Sequence, residues 1–258
     1  MLRLTTLASV LALIAGTAMA EDIKVGVSPG EHAEIMEEVA KVAAPKGLNI
    51  KVVEFSDYVV PNQALADGDI QANSFQHVPY LDNQMKDRGF DLKVIGTTIT
   101  TPMGVYSHKL KALDQLPSGA TVGIPNDPTN GGRALLVLQQ LGVIKVAPDA
   151  GLKPTILDVT ENPKKLKFQE LDAAQLPRSL ADLDAALINT NYAIASGLNP
   201  KTDAIAMESA DNPYVNVLVV RNGDEGKPWV QELVDSYHSP EVKKFIEDKY
   251  HGTVLTSW

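Results

Sequence analysis

"IKVGVSPGEHAEIMEEVAKVAAPKGLNIKVVEFS" (residues 23–56) decides the fold. Its first six residues alternate and are rich in β-branched side chains, as are residues 48–56, so both ends read as strands. Between them Ile35, Val39 and Val42, with Met36 and Ala43 alongside, recur at helical spacing, and Gly47 is placed to stop the helix. The pattern then repeats outward. Residues 61–68 read as a helix with Pro61 near its start and Gly68 past its end. Residues 69–75 read as a strand, 78–90 as a proline-opened helix, and 92–99 as a strand. Such alternation predicts an α/β domain with a mostly parallel sheet.

A second set starts near residue 112. Residues 120–125, 152–157, 167–171, 183–189, 203–208 and 214–221 read as strands, and 133–141, 173–182 and 190–197 as helices. Two amphipathic helices close the chain. One carries Trp229, Val230, Leu233, Val234 and Tyr237 on a face, the other Val242, Phe245, Ile246 and Tyr250. They find no partner in the second set and are expected to return to the first. Boundaries of 21–110 plus 218–258 for lobe 1 and 111–217 for lobe 2 follow, with hinges near 100–112 and 210–222. "LADGDIQANSFQH" (65–77) and "LADLDAALINTNY" (180–192) share one plan. Because ligands of parallel α/β sheets sit beyond the carboxyl ends of strands, His77 and Asn189 are expected on opposite walls of one cleft.

The 258 residues are 44% hydrophobic and 21% charged, enough for real cores, and the formal net charge of −9 argues against nucleic acid as a partner. The start differs in kind. Arg3 precedes the apolar run "LTTLASVLALIAG" (4–16), too short for a comfortable membrane span, and small residues Ala18 and Ala20 flank Met19. Residues 1–20 therefore read as a cleavable export signal, cut between Ala20 and Glu21. Cysteine is absent, which removes disulfides, thiol catalysis and thiolate metal sites. An acidic secreted protein follows, periplasmic in a bacterium.

Three segments could carry chemistry. "NDPTNGGRAL" (126–135) lacks the GK[ST] ending of a nucleotide-phosphate loop. It instead leads into a helix start with Arg133 in the first turn, a pairing of free N–H groups and a planar bidentate cation that fits a carboxylate. The alternative is that Asp127, Thr129 or Asn130 caps the helix and Arg133 lies on the surface. Second, Phe55, Tyr58, Phe75, His77 and Tyr80 gather near strand ends of the first lobe, an aromatic set suited to an apolar or thioether side chain. Phe55, inside a strand, reads as ordinary core. Third, Asn189 and Asn191 stand at a strand-to-helix junction, where capping is the competing role, and Asn216 interrupts a β-branched strand that disfavours it. The five histidines show no i, i+4 pair, so no zinc site is expected, and no G-x-S-x-G elbow occurs.

"FSDYVVPNQAL" (55–65), "NSFQHVPYLD" (73–82), "PNDPTNGGRALLVLQ" (125–139), "LDVTENPKKLKFQELDAAQLPRSL" (157–180), "ALINTNYA" (186–193) and "PYVNVLVVR" (213–221) resemble the substrate-binding lipoproteins of methionine ABC importers across the mature chain. The resemblance implies a two-lobed, type II periplasmic-binding fold closing on L-methionine or a close relative. D-methionine, a methionine dipeptide or another amino acid are the alternatives. It also implies that Arg133 holds the ligand carboxylate, that Asn189 and Asn216, with Asn191, meet the ammonium, and that Tyr58, Phe75 and His77 line the side-chain pocket. Family members carry a lipobox cysteine, whereas "AGTAMAED" (15–22) has none, so a freely soluble periplasmic monomer is expected, without cofactor or metal, serving a membrane permease and ATPase complex. Two rival classes fit less well. An enzyme would need a positioned nucleophile, base or metal, none of which the sequence offers. A sensing domain would need a separate partner.

Overall fold

The computed structural model describes residues 20–258; apart from Ala20, the expected export signal lies outside the described residues. The chain runs β1 (Glu21–Val27), α1 (Glu31–Ala43), β2 (Leu48–Glu54), α2 (Val60–Asp67), β3 (Ala72–His77), α3 (Val78–Arg88), β4 (Leu92–Thr100), β5 (Gly104–Tyr106), β6 (Thr121–Pro125), α4 (Pro128–Gln140), β7 (Lys145–Val146), β8 (Val159–Glu161), β9 (Lys167–Leu171), α5 (Leu176–Ser179), β10 (Ala185–Ile188), α6 (Thr190–Ala195), β11 (Ala204–Met207), β12 (Val215–Arg221), α7 (Pro228–Tyr237), α8 (Pro240–Tyr250) and β13 (Leu255–Thr256).

The strands form two sheets, ordered β13-β4-β12-β3-β1-β2 and β11-β5-β10-β6-β9, beside the small β7-β8 hairpin. β1, β2 and β3 pair in parallel, while β12 lies antiparallel between β3 and β4. In the second sheet β6 pairs in parallel with β9 and β10, and β5 runs against its neighbours. Each lobe is thus a mostly parallel sheet with one reversed strand inserted, and the first sheet carries a second reversed strand, β13, at its edge.

The inserted strands locate the lobe crossings. Val105 and Tyr106 pair with Leu187 and Ala186, so β5 already belongs to the second sheet and the first crossing is residues 101–103. β12 lies wholly in the first sheet, where Asn216 pairs with His77, so the return crossing is residues 208–214. The expected cuts at 110/111 and 217/218 therefore divide β5 and β12 from their own sheets. The crossings hydrogen-bond to each other, Glu208 N–H to Met103 O at 2.9 Å and Met103 N–H to Glu208 Oε2 at 2.9 Å.

One face of the first sheet is covered by α1, α7 and α8, where Trp229, Leu233, Tyr237, Val242 and Ile246 meet Ile35, Met36 and Val39. The closing helices do return to lobe 1, as their apolar faces require. Leu65, Leu81 and Val219 form the core of its other face. In lobe 2, α4 supplies Ala134, Leu135 and Leu138 to one core, and α5 and α6 supply Leu176, Tyr192 and Ala193 to the other. Two local expectations fail. Residues 152–157 make no strand, because the N–H and hydroxyl of Thr155 both donate to Asp158 Oδ2, at 2.7 and 2.8 Å, and close a tight turn. The helix expected over 173–182 shortens to a capped turn and the four residues of α5.

Candidate functional site

All seven residues expected at the site line one cavity between the lobes. Tyr58, from the loop before α2, Phe75 and His77 from β3, and Asn216 from β12 form the lobe 1 wall. Arg133 from α4 and Asn189 and Asn191 at the start of α6 form the lobe 2 wall. Apart from partly exposed Tyr58, all of these are buried. Phe55, one residue past the end of β2, packs instead against the lobe 1 core, the role expected for it.

The segment around Arg133 differs from its reading as an anion-holding helix start. α4 begins at Pro128, so Arg133 stands in its second turn. The helix N-terminus is already satisfied. Asp127 Oδ1 accepts from the N–H of Thr129 at 3.2 Å and of Asn130 at 2.9 Å, and Asp127 O accepts from Gly131. No N–H there is left for a ligand, because the capping carboxylate supplies the anion that the helix end favours. The paired glycines lie inside the helix and serve close packing. A Cβ on Gly131 would come within 2.7 Å of Pro125 O, and one on Gly132 within 2.7 Å of Lys153 Cα. Asp127 is thus the cap, while Arg133, far from being a surface residue, is 2% exposed.

Arg133 is held by both lobe crossings. Its Nε donates to Glu208 Oε1 at 3.1 Å, its Nη2 to Glu208 Oε2 and, at 2.8 Å, to Thr101 O. The guanidinium stacks over Tyr214 at 4.3 Å. Among the described residues Nη1 has no hydrogen-bond acceptor, which leaves one edge of the planar fork for an incoming anion. Neither Glu208 nor Tyr214 was anticipated. Each sits in a crossing distant in sequence from Arg133, and only the proximity of the two crossings brings them there.

Asn130 joins the walls. Its Oδ1 accepts from Asn189 Nδ2 at 2.8 Å and pairs with His77 Nε2 at 3.2 Å, while its Nδ2 donates to Asp127 Oδ2 at 2.9 Å. His77 Nδ1 accepts the Tyr80 N–H at 3.1 Å, so the neutral ring carries its proton on Nε2. Burial and the nearby Arg133 charge push the His77 pKa down to about 3, which keeps it neutral. Asn189 occupies the N-cap position of α6, yet its side chain does not cap. Its Oδ1 and the Nδ2 of Asn191 are buried without a partner among the described residues. Such groups cost free energy unless something completes them. Asn216 Nδ2 donates to Ile99 O at 3.1 Å.

The rings form the remaining wall. Tyr58 lies 6.0 Å from Phe75 and from Tyr80, and 4.9 Å from Tyr192 of the opposite lobe. Tyr80 donates to Tyr58 O at 2.8 Å. The Tyr58 hydroxyl donates across the cleft to Asn191 Oδ1, and Tyr192 to Ser56 O. Gly30 closes the seam, with a backbone φ of +88° and room for a Cβ only 2.5 Å from Asn191 O. His32 also faces the cavity, its pKa lowered to about 4 by burial. It sits at the buried start of α1, where sequence periodicity carries no sign of the cleft.

Two α/β lobes joined by paired crossings, closing on a small enclosed cavity with polar and aromatic walls, define a solute-binding protein. No group of three or more metal-binding side chains occurs among the described residues. The NlpA lipoprotein family model matches residues 23–258, and the chain belongs to that family. It is a binding protein and not an enzyme. It is 49% identical over 239 residues to the D-methionine-binding lipoprotein MetQ of Escherichia coli strain K12, covering 92% of this chain and 88% of that protein. It is 47% identical to D-methionine-binding lipoprotein MetQ of Salmonella typhimurium strain LT2, over 98% of both chains. A solved nutrient binding protein from Burkholderia cenocepacia, bound to methionine, is 55% identical and superposes with a TM-score of 0.89 over 92% of this chain and 100% of that one.

Proposed function

We propose that this chain captures methionine between its lobes and delivers it to a membrane ABC importer. The observation that carries this reading is the distribution of unmet hydrogen-bonding capacity around one cavity. Arg133 keeps a free Nη1, Asn191 Nδ2 is an unpaired donor, Asn189 Oδ1 is an unpaired acceptor, and the rings of Tyr58, Phe75 and Tyr80 line the same cavity. An α-amino acid has a matching carboxylate, ammonium and side chain. The rings suit a thioether, since sulfur contacts aromatic edges favourably.

In this reading Arg133 and Asn191 Nδ2 hold the carboxylate, and Asn189 Oδ1 and Asn216 meet the ammonium. Asn191 thereby moves from the ammonium side, because its Oδ1 is already committed to Tyr58. Tyr58, Phe75 and His77 surround the side chain. The ligand is L-methionine; D-methionine, which names the relatives, is the second reading. With no cysteine to carry a lipid, the chain works as a soluble periplasmic monomer after cleavage between Ala20 and Glu21. Native mass spectrometry of protein extracted from the periplasm tests this reading. The expected species is one chain beginning at Glu21 and carrying one methionine. A chain beginning at Met1, or one carrying an unrelated solute, contradicts the corresponding part.

A further inference from the structure

The direction of the hydrogen bonds around Asn130 has a consequence for specificity. The Asp127 carboxylate can only accept, and it takes the Nδ2 of Asn130 at 3.1 and 2.9 Å. That turns Asn130 Oδ1 toward the cleft, where it can only accept. Its two neighbours there, Asn189 Nδ2 at 2.8 Å and His77 Nε2 at 3.2 Å, must both donate. His77 complies because its other nitrogen already accepts the Tyr80 N–H. Asn189 complies by presenting its amide nitrogen to Asn130, which leaves its Oδ1, buried and unpartnered, as an acceptor. One carboxylate outside the cavity thus fixes the polarity of a group inside it.

We propose that Asp127 is a positioning residue that selects for the ligand's amino group, acting through Asn130 to hold Asn189 with its carbonyl oxygen free for an ammonium. This rests on the amino-acid reading of the cavity. Asp127 has a second task as the cap of α4, and the two can be separated. Asparagine caps helices about as well as aspartate, so Asp127→Asn keeps the cap and the shape. It replaces one accepting oxygen with a donor that opposes the Asn130 amide nitrogen. Asn130 is then driven to turn over, facing His77 and Asn189 with a donor, and Asn189 turns its own nitrogen toward the ligand ammonium.

The experiment compares two probes by calorimetry: L-methionine, and γ-(methylsulfanyl)butyrate, which is methionine without its amino group. Asp127→Asn is expected to weaken methionine binding roughly ten- to a hundred-fold, the scale of a hydrogen bond to a charged group, while the analogue changes by less than about two-fold. Adding Asn130→Asp to Asp127→Asn returns an obligate acceptor to Asn189 and is expected to restore the preference for methionine. Nitrogen-15 spectra of the His77 ring give an independent readout, with the Nε2–H tautomer retained in the wild type and disturbed in Asp127→Asn. An unchanged methionine-to-analogue ratio in Asp127→Asn, or a double variant that regains no preference, overturns the relay alone. Wild-type protein that binds neither probe overturns the amino-acid reading and the relay with it.

Discussion

Replacing Glu208 by glutamine tests how the cavity keeps a buried arginine. The Arg133 and Glu208 side chains are 2% and 4% exposed, and the pair also receives the N–H of Met103 from the other crossing. Removing one partner of a buried ion pair costs about 3–5 kcal/mol, because the remaining charge is left uncompensated. Glutamine keeps the shape and one accepting oxygen, so the lower figure of about 3 kcal/mol applies. For a chain of this size each kcal/mol moves the melting point by about 2–4 °C, so the ligand-free variant should melt roughly 6–12 °C below the wild type. Methionine reverses part of that loss. Its carboxylate becomes the sole anion on Arg133, so saturating ligand should raise the melting point of Glu208→Gln more than that of the wild type. Thermal unfolding by circular dichroism, with and without methionine, reads both effects. An unchanged ligand-free melting point, or weaker protection of the variant by methionine, refutes the reasoning.

Three further outcomes are expected. Burial lifts the Glu31 carboxyl from 4.5 to about 8, so in the native state it holds a proton that the unfolded chain releases above pH 4.5. Its contribution is therefore intact below pH 4.5 and is lost as pH rises toward 8, and Glu31→Gln should raise the melting point at pH 8 while leaving it unchanged at pH 4. Gly30→Ala forces a Cβ to within 2.5 Å of Asn191 O at a φ of +88°, so small-angle scattering should show lobes that no longer close on adding methionine, while circular dichroism stays native; normal closure would contradict the packing seen at that seam. Tyr58→Phe removes the hydroxyl bound to Asn191 across the cleft, and methionine affinity should fall by about ten-fold, chiefly through faster release; an unaltered dissociation rate speaks against this latch.

Much of this was legible in the sequence, for identifiable reasons. Period-2 and period-3.6 patterns within 23–56 are local signals, and β1, α1 and β2 fall close to where they are expected. The shared plan of 65–77 and 180–192, read with the strand-end rule, puts His77 and Asn189 on facing walls, and Asn130 bridges them. What escaped depends on pairing between distant segments. β5 is three residues long and is assigned to the second sheet only by its partners in β10 and β11. The Glu208 and Tyr214 contacts with Arg133 need the two crossings side by side. Arg133 departs from its expected first-turn position for a different reason: Gly131-Gly132 reads as a loop, yet the neighbouring backbone of Pro125 and Lys153 demands glycine inside a helix. Propensity yielded there to close packing.

The central claim is that one amino acid is gripped by Arg133 from one lobe and by an aromatic wall from the other. Calorimetry of ligand-stripped protein against L-methionine, D-methionine, leucine and a methionine dipeptide, repeated with Arg133→Ala, addresses it most directly. The expected result is tight binding of one methionine per chain, much weaker binding of leucine, and a large loss in Arg133→Ala. No heat with any of these ligands, or methionine binding that survives loss of the guanidinium, would contradict it.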